Sequence, residues 1–177
     1  MEYIKRYDSP LGMILIASDE IGLTGLWFEG QKYFARTLSD NREEKETRII
    51  KEAEKWLDSY FLGEKPGNAI PLNPAGTVFQ KSVWNILSEI PYGSTITYGD
   101  IASRIARETG RSHMSAEAVG GAVGHNPISI IIPCHRVVGK NGSLTGYAGG
   151  LERKIRLLEI EKADISALYI PRKSTAK

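Results

Sequence analysis

The sequence holds a single cysteine, Cys134, and only three histidines, and both scarcities set limits. One thiol excludes an intramolecular disulfide and any zinc site built on several cysteines. No apolar run is long enough to cross a bilayer, and the N-terminus lacks a signal-peptide pattern. An intracellular, cytoplasmic protein without a membrane partner is therefore expected. Charge of one sign is also lacking: the net charge is +2 and the pI about 8.6, which neither requires nor excludes nucleic acid. Binding to DNA would need a local patch and should be modest in affinity and sensitive to salt. Hydrophobic residues make up 41% and charged residues 25% of the 177, an ordinary globular balance with enough chain for one domain or two small ones.

The cysteine lies within Ile128–Val138, I-S-I-I-I-P-C-H-R-V-V. Ile130-Ile131-Ile132 has the β-branched, apolar character of a short buried strand, which Pro133 should stop or bend. A lone cysteine in a reducing cell is commonly a small buried hydrophobe. Beside His135 it is also a candidate nucleophile, because a thiol of pKa ~8.5 is only a few per cent thiolate at neutral pH and a nearby base raises that fraction. Adjacent side chains on a strand point to opposite faces. Either Pro133 sets a turn that brings Cys134 and His135 together, or one water relays the proton.

Around this stretch the chain reads as α+β. Residues 2–7, 12–17 and 21–28 have strand character, the first two joined by Ser9-Pro10-Leu11-Gly12. Helical spacing runs from Glu44 to Leu62 and ends at Gly63. Residues 63–76, rich in proline and glycine, read as a connection with a domain boundary near residue 73. This divides the chain into an N-terminal unit (1–72), a larger unit (73–163) and a tail (164–177), with Pro171–Lys177 expected to be disordered. Within the second unit, Phe79 to Ile90 forms a helix stopped by Pro91-Tyr92-Gly93. Thr97 with Asp100 makes a capping box for a short helix, and Ser115 caps the next, a helix-turn-helix pattern.

In that second helix Ala116, Ala118, Gly120, Gly121 and Ala122 leave a surface with almost no side chains, each glycine costing ~1 kcal/mol relative to alanine. Tight packing on a neighbouring helix accounts for this, and so does close approach of a nucleic-acid groove. Gly139 to Gly150 is a glycine-rich loop carrying Tyr147, of a kind that walls ligands. A last helix from Leu151 sets Glu161 beside its buried stripe, where a carboxylate needs a partner. Trp27, Trp56 and Trp84 are expected in the core; His113 and His125, with no evident partner, on the surface.

With Pro133-Cys134-His135-Arg136-Val137 in place, the chain resembles the O6-alkylguanine-DNA alkyltransferases, also called methylated-DNA–protein-cysteine methyltransferases. Gly76-Thr77-Val78-Phe79-Gln80, Ile90-Pro91-Tyr92-Gly93, Thr97-Tyr98-Gly99, Ala118-Val119-Gly120-Gly121, Asn126-Pro127 and Gly146-Tyr147-Ala148-Gly149-Gly150 recur in family order. The likeness is close over 73–162 and loose in the N-terminal unit. It implies a ribonuclease-H-like sheet-plus-helix domain, then a mostly helical domain with the helix-turn-helix and the cysteine after its short strand. It further implies direct-reversal repair, in which O6-alkylguanine, and also O4-alkylthymine, is flipped out through the minor groove and its alkyl group moves irreversibly to Cys134. In this reading His135 is the base through a water, Glu161 holds the imidazole tautomer, Asn126 stabilises the active-site turn, and Tyr98 rotates the target phosphate and donates to the leaving guanine. Thr97, Ala116, Ala118, Gly120 and Arg136 would meet DNA, while Tyr147 and Ala148 would wall the flipped base. The partner is double-stranded DNA, the protein a monomer, with neither cofactor nor metal.

One position departs from the pattern. Glu117 stands where the family often carries an intercalating arginine, so Arg104, Arg107, Arg111 or Arg136 is expected to supply the missing charge. Two other classes remain in view. A damaged-DNA binding module without repair would lack the nucleophile. A cysteine hydrolase would need an oxyanion hole and turnover, and leaves the glycine-rich helix unexplained.

Overall fold

The computed structural model describes residues 1–172. β1 (Glu2–Ser9) and β2 (Gly12–Ser18) form an antiparallel hairpin in register from Tyr3↔Ser18 to Ser9↔Gly12. Gly12 closes the turn at φ 115°, backbone open to glycine and few others. β3 (Leu23–Phe28) pairs antiparallel with β2, and a short β4 (Arg42–Glu44) pairs parallel with β1, giving the order β3-β2-β1-β4. α1 (Arg48–Phe61) begins later than its apolar spacing implied, because residues 42–44 are taken up by β1 and Thr47 supplies the cap. Its buried face of Ile50, Ala53, Leu57 and Tyr60 lies on the sheet.

The second unit is built from α2 (Val78–Ser88), α3 (Tyr98–Glu108), α4 (Ala116–Gly124) and α5 (Leu151–Ile160). Capping boxes open α2 (Thr77 with Gln80) and α3 (Thr97 with Asp100), and the Ser115 hydroxyl accepts from the first turn of α4. α3 and α4 pack on each other and on α2 in the expected helix-turn-helix arrangement. A single buried cluster runs from Ile14 in β2 through Trp84 to Leu157 in α5, so the two units share their core. Trp27 and Trp84 are buried within the fold, and Trp56 is half-buried, stacked on Tyr60.

The outer edge of β3 is covered by single residues from elsewhere. Leu23 donates to the Pro71 carbonyl at 2.8 Å. Leu26 N–H donates to Pro127 and its carbonyl accepts from Ser129, both at 2.8 Å.

Ile130–Ile132 does not form the expected strand. Only Ile128 bridges to a strand, and the chain then winds through consecutive tight turns, with Ile130 at φ 69°. The reason lies in Asn126: its Nδ2 donates to the carbonyls of Ile128 (3.3 Å) and Ile132 (2.8 Å) while its Oδ1 accepts from Ile128 N–H (3.0 Å). One side chain supplies what a ladder would have supplied, and local β preference yields to that context. Ile130 and Ile132 are buried all the same.

Past α5 the chain folds back: Leu144 N–H donates to Tyr169 at 2.8 Å and Tyr169 N–H to Gly142 at 3.0 Å. Of the expected disordered tail, residues 173–177 lie outside the described residues. No helix among the described residues is long and apolar enough to cross a membrane.

Candidate active site

Cys134 opens a 3-10 turn, Cys134–Arg136, that runs directly into β6 (Val137–Val138). β6 pairs parallel with β5 (Ile96–Thr97), Ile96↔Val137 and Thr97↔Val138, so the start of α3 and Tyr98 are fixed to the residues after the cysteine. With three residues per turn, neighbouring side chains leave about a third of a turn apart. Cys134 and His135 thus leave the opposite-face geometry of a strand, yet the turn makes no hydrogen bond between them: among the described residues His135 Nδ1 has no partner.

Glu161, buried just past α5, is the hub. Its Oε1 lies 2.6 Å from His135 Nε2, and it accepts from Tyr60 (2.8 Å), twice from Arg136 (2.9 Å each) and from Gly93 N–H (3.1 Å). Burial pushes the carboxyl up, but the His135 and Arg136 hydrogen bonds outweigh it and hold the pKa down at about 2. A carboxylate partner assigns the imidazole proton to Nε2. Nδ1, fully buried and without a hydrogen-bond partner among the described residues, then carries a free lone pair. Burial holds the His135 pKa below its usual value despite Glu161, so the ring is neutral and able to take a proton.

Arg136 is not the DNA contact expected. Its guanidinium is buried, donating to both Glu161 oxygens and to the Ile90 carbonyl at 2.7 Å. Nor does Arg104 stand free, since it is paired with Glu89 and Glu108. Arg107 and Arg111 are exposed.

The Cys134 thiol is raised above its usual pKa, first by burial, with Asn126 and Lys154 opposing. Lys154 was missed by sequence reasoning. It is fully buried on α5, donating to the carbonyls of Val137 (2.5 Å) and Thr145 (2.9 Å), and burial lowers its pKa to about 8. A signal existed: Lys154 lies three residues after Leu151 and four before Leu158, on the buried stripe. Tyr60, reaching Glu161 from α1, was missed too.

The Tyr98 hydroxyl donates to the Thr145 carbonyl at 3.1 Å, and burial raises its pKa to about 12. Thr97, Tyr98, Ala116, Glu117 and Gly120 line one groove of about 870 Å3, so the structure does bring these predicted residues together. Ala118 is exposed on the same helix, and Gly120 would meet the Tyr98 ring at 3.9 Å if it carried a Cβ. Tyr147 and Ala148 line a neighbouring pocket of about 400 Å3. His113 is exposed. His125 is not the unpartnered surface residue expected: it stacks on Tyr33 with centroids 4.0 Å apart, and its Nδ1 and Nε2 lie 2.7 Å from Gly121 O and 3.2 Å from Arg36 Nη1.

A helix-turn-helix beside a single buried thiol and a carboxylate-held imidazole is an arrangement suited to DNA binding and to one-cysteine chemistry. Comparison with known proteins sharpens that class. The ribonuclease-like domain of the 6-O-methylguanine DNA methyltransferases matches residues 3–74, and the DNA-binding domain matches 78–163. A methylated-DNA–protein-cysteine methyltransferase of Methanosarcina acetivorans is 48% identical, the match covering 90% of this chain and 97% of that protein. The Haemophilus influenzae protein of the same name is 44% identical, over 90% of this chain and 86% of that one. Among solved structures, one from Mycobacterium tuberculosis in complex with DNA superposes with a TM-score of 0.77 at 41% identity, covering 90% of this chain and 92% of that one. The chain belongs to the 6-O-methylguanine DNA methyltransferase family, enzymes of DNA repair by alkyl transfer.

Proposed function

We propose that this protein repairs O6-alkylguanine, and O4-alkylthymine as a second lesion, by moving the alkyl group irreversibly to Cys134, each molecule acting once. The arrangement that supports this best is the buried chain Glu161–His135 Nε2 with the unpartnered Nδ1 beside the cysteine turn. A raised thiol needs a base. His135 takes the Cys134 proton at Nδ1, through one water, and Glu161 stabilises the resulting imidazolium. The Lys154 ammonium, felt by the sulfur, favours the thiolate. The thiolate attacks the alkyl carbon, the C–O bond breaks, and its electron pair leaves with the guanine oxygen. Tyr98, kept protonated by burial, donates to the departing ring and spares it a full negative charge.

A base in a duplex reaches this buried centre only by flipping out, at a cost of a few kcal/mol. The groove between α3 and α4, with its small Ala116 and Gly120, suits close approach of the minor groove. Residues 73–163 would carry DNA binding and chemistry and residues 1–72 a structural role, in an intracellular monomer. The test is intact mass after mixing with duplex DNA carrying one O6-methylguanine, followed by peptide mapping. One methyl per molecule on the Cys134 peptide is the expected result. Binding without a mass change would overturn transfer in favour of a damage-binding module.

A further inference from the structure

The pocket beside Tyr147 and Ala148 has a wall that comes from the N-terminal unit. Lys32 and Tyr33 line it together with the glycine-rich side of α4. Among the described residues no carboxylate lines it, and Lys32 is its one permanent charge. No ion pair among the described residues includes Lys32.

The backbone that carries that ammonium is set rather than incidental. Lys32 N–H donates to the Ala148 carbonyl at 3.0 Å, tying the segment to the loop that carries Tyr147. Tyr33 stands at φ 59°, a rare conformation for a bulky residue that persists only where the surroundings impose it. Its ring stacks on His125, and the Lys32 Nζ lies 5.0 Å from the centroid of that ring. The lining of the pocket also overlaps that of the Tyr98 groove. It shares Gly120, Thr145 and Gly146 with the groove that contains Tyr98, and Thr145 accepts from both Tyr98 and Lys154.

We propose that Lys32 is a specificity-determining residue that favours lesions whose O6 substituent ends in a carboxylate, the carboxymethyl group being the smallest. The inference rests on the alkyl-transfer reading above. Bonds change as for methyl: the Cys134 sulfur bonds the methylene carbon next to O6, the C–O pair leaves with guanine, and the protein keeps a thioether. The carboxylate takes no part in the bond changes and stays ionised, facing the ammonium. Lys32 is exposed, and exposed pairs are weak, so the expected preference is about threefold to fivefold and should shrink with added salt.

The experiment is single-turnover transfer with protein in excess, on duplexes bearing O6-methylguanine, O6-carboxymethylguanine or its neutral isostere O6-(carbamoylmethyl)guanine. It compares the wild-type chain with Lys32→Gln and Lys32→Glu. Within each protein the carboxymethyl rate is divided by the carbamoylmethyl rate. The expected ratio falls about threefold in Lys32→Gln and further in Lys32→Glu. An equal ratio in all three proteins overturns the inference while methyl transfer still stands. Absence of methyl transfer in the wild-type chain would instead remove the reading on which it rests.

Discussion

Replacing Glu161 by glutamine tests the hub of the site at nearly constant shape. The carboxylate accepts from His135, Tyr60, Gly93 and twice from Arg136, all of them donors. Glutamine keeps one acceptor oxygen and turns an NH2 toward the others, leaving the buried Arg136 charge uncompensated. Breaking a buried pair in this way costs about 3–5 kcal/mol. The native pKa of about 2 against an ordinary 4.5 gives a similar figure, since each unit is worth about 1.4 kcal/mol. Because the folded pKa is depressed, that stabilisation is complete above about pH 4.5 and is lost as pH falls toward 2. Calorimetry should show Glu161→Gln melting roughly 10 °C lower at pH 7, with a stability curve flatter than wild type between pH 4.5 and 2. The folded variant should also transfer methyl at least about a hundredfold more slowly, because His135 loses the partner that fixes its tautomer and stabilises its charge. A variant that melts with wild type and transfers within threefold of its rate would refute the hub.

Two further substitutions probe the turn and the DNA face. Asn126→Ala strips buried hydrogen bonds from Ile128 and Ile132 and should cost about 3 kcal/mol in urea unfolding, with transfer falling alongside; an unchanged midpoint would show that the turn holds itself. Glu117→Arg exchanges a repelling charge for an attracting one in the α3–α4 groove and should tighten DNA binding at low salt. The slope of log affinity against log salt should steepen by about 0.9, and equal affinity for the two proteins in a low-salt titration would place Glu117 away from the phosphates.

Much of this site could be read from residue types and spacing. The caps at Thr97 and Ser115 are local chemistry, and local chemistry survives folding. Glu161 announced its need for a partner through its place beside an apolar stripe. His135 as a partner followed from the resemblance, whereas Tyr60 and Arg136 were hidden, reaching it from 101 and 25 residues away. Arg136 misled for a related reason: beside a candidate nucleophile an arginine reads as a phosphate contact, and only burial shows it facing inward. The isoleucine run misled because apolar, β-branched residues suit a buried turn as well as a buried strand. β4, three exposed charged residues, gave no periodic signal at all.

The outer edge of β3 carries a wider consequence. An open sheet edge invites pairing with foreign chains, and here two single-residue staples, Leu72 and Ile128, close it. The second staple is also where the segment bearing Cys134 begins. The N-terminal sheet therefore anchors the start of the segment that leads to Cys134, and that segment in turn covers the edge of the sheet. The edge of the sheet in one half and the start of the cysteine segment in the other rest on the same few hydrogen bonds, so trimming either half should loosen the other.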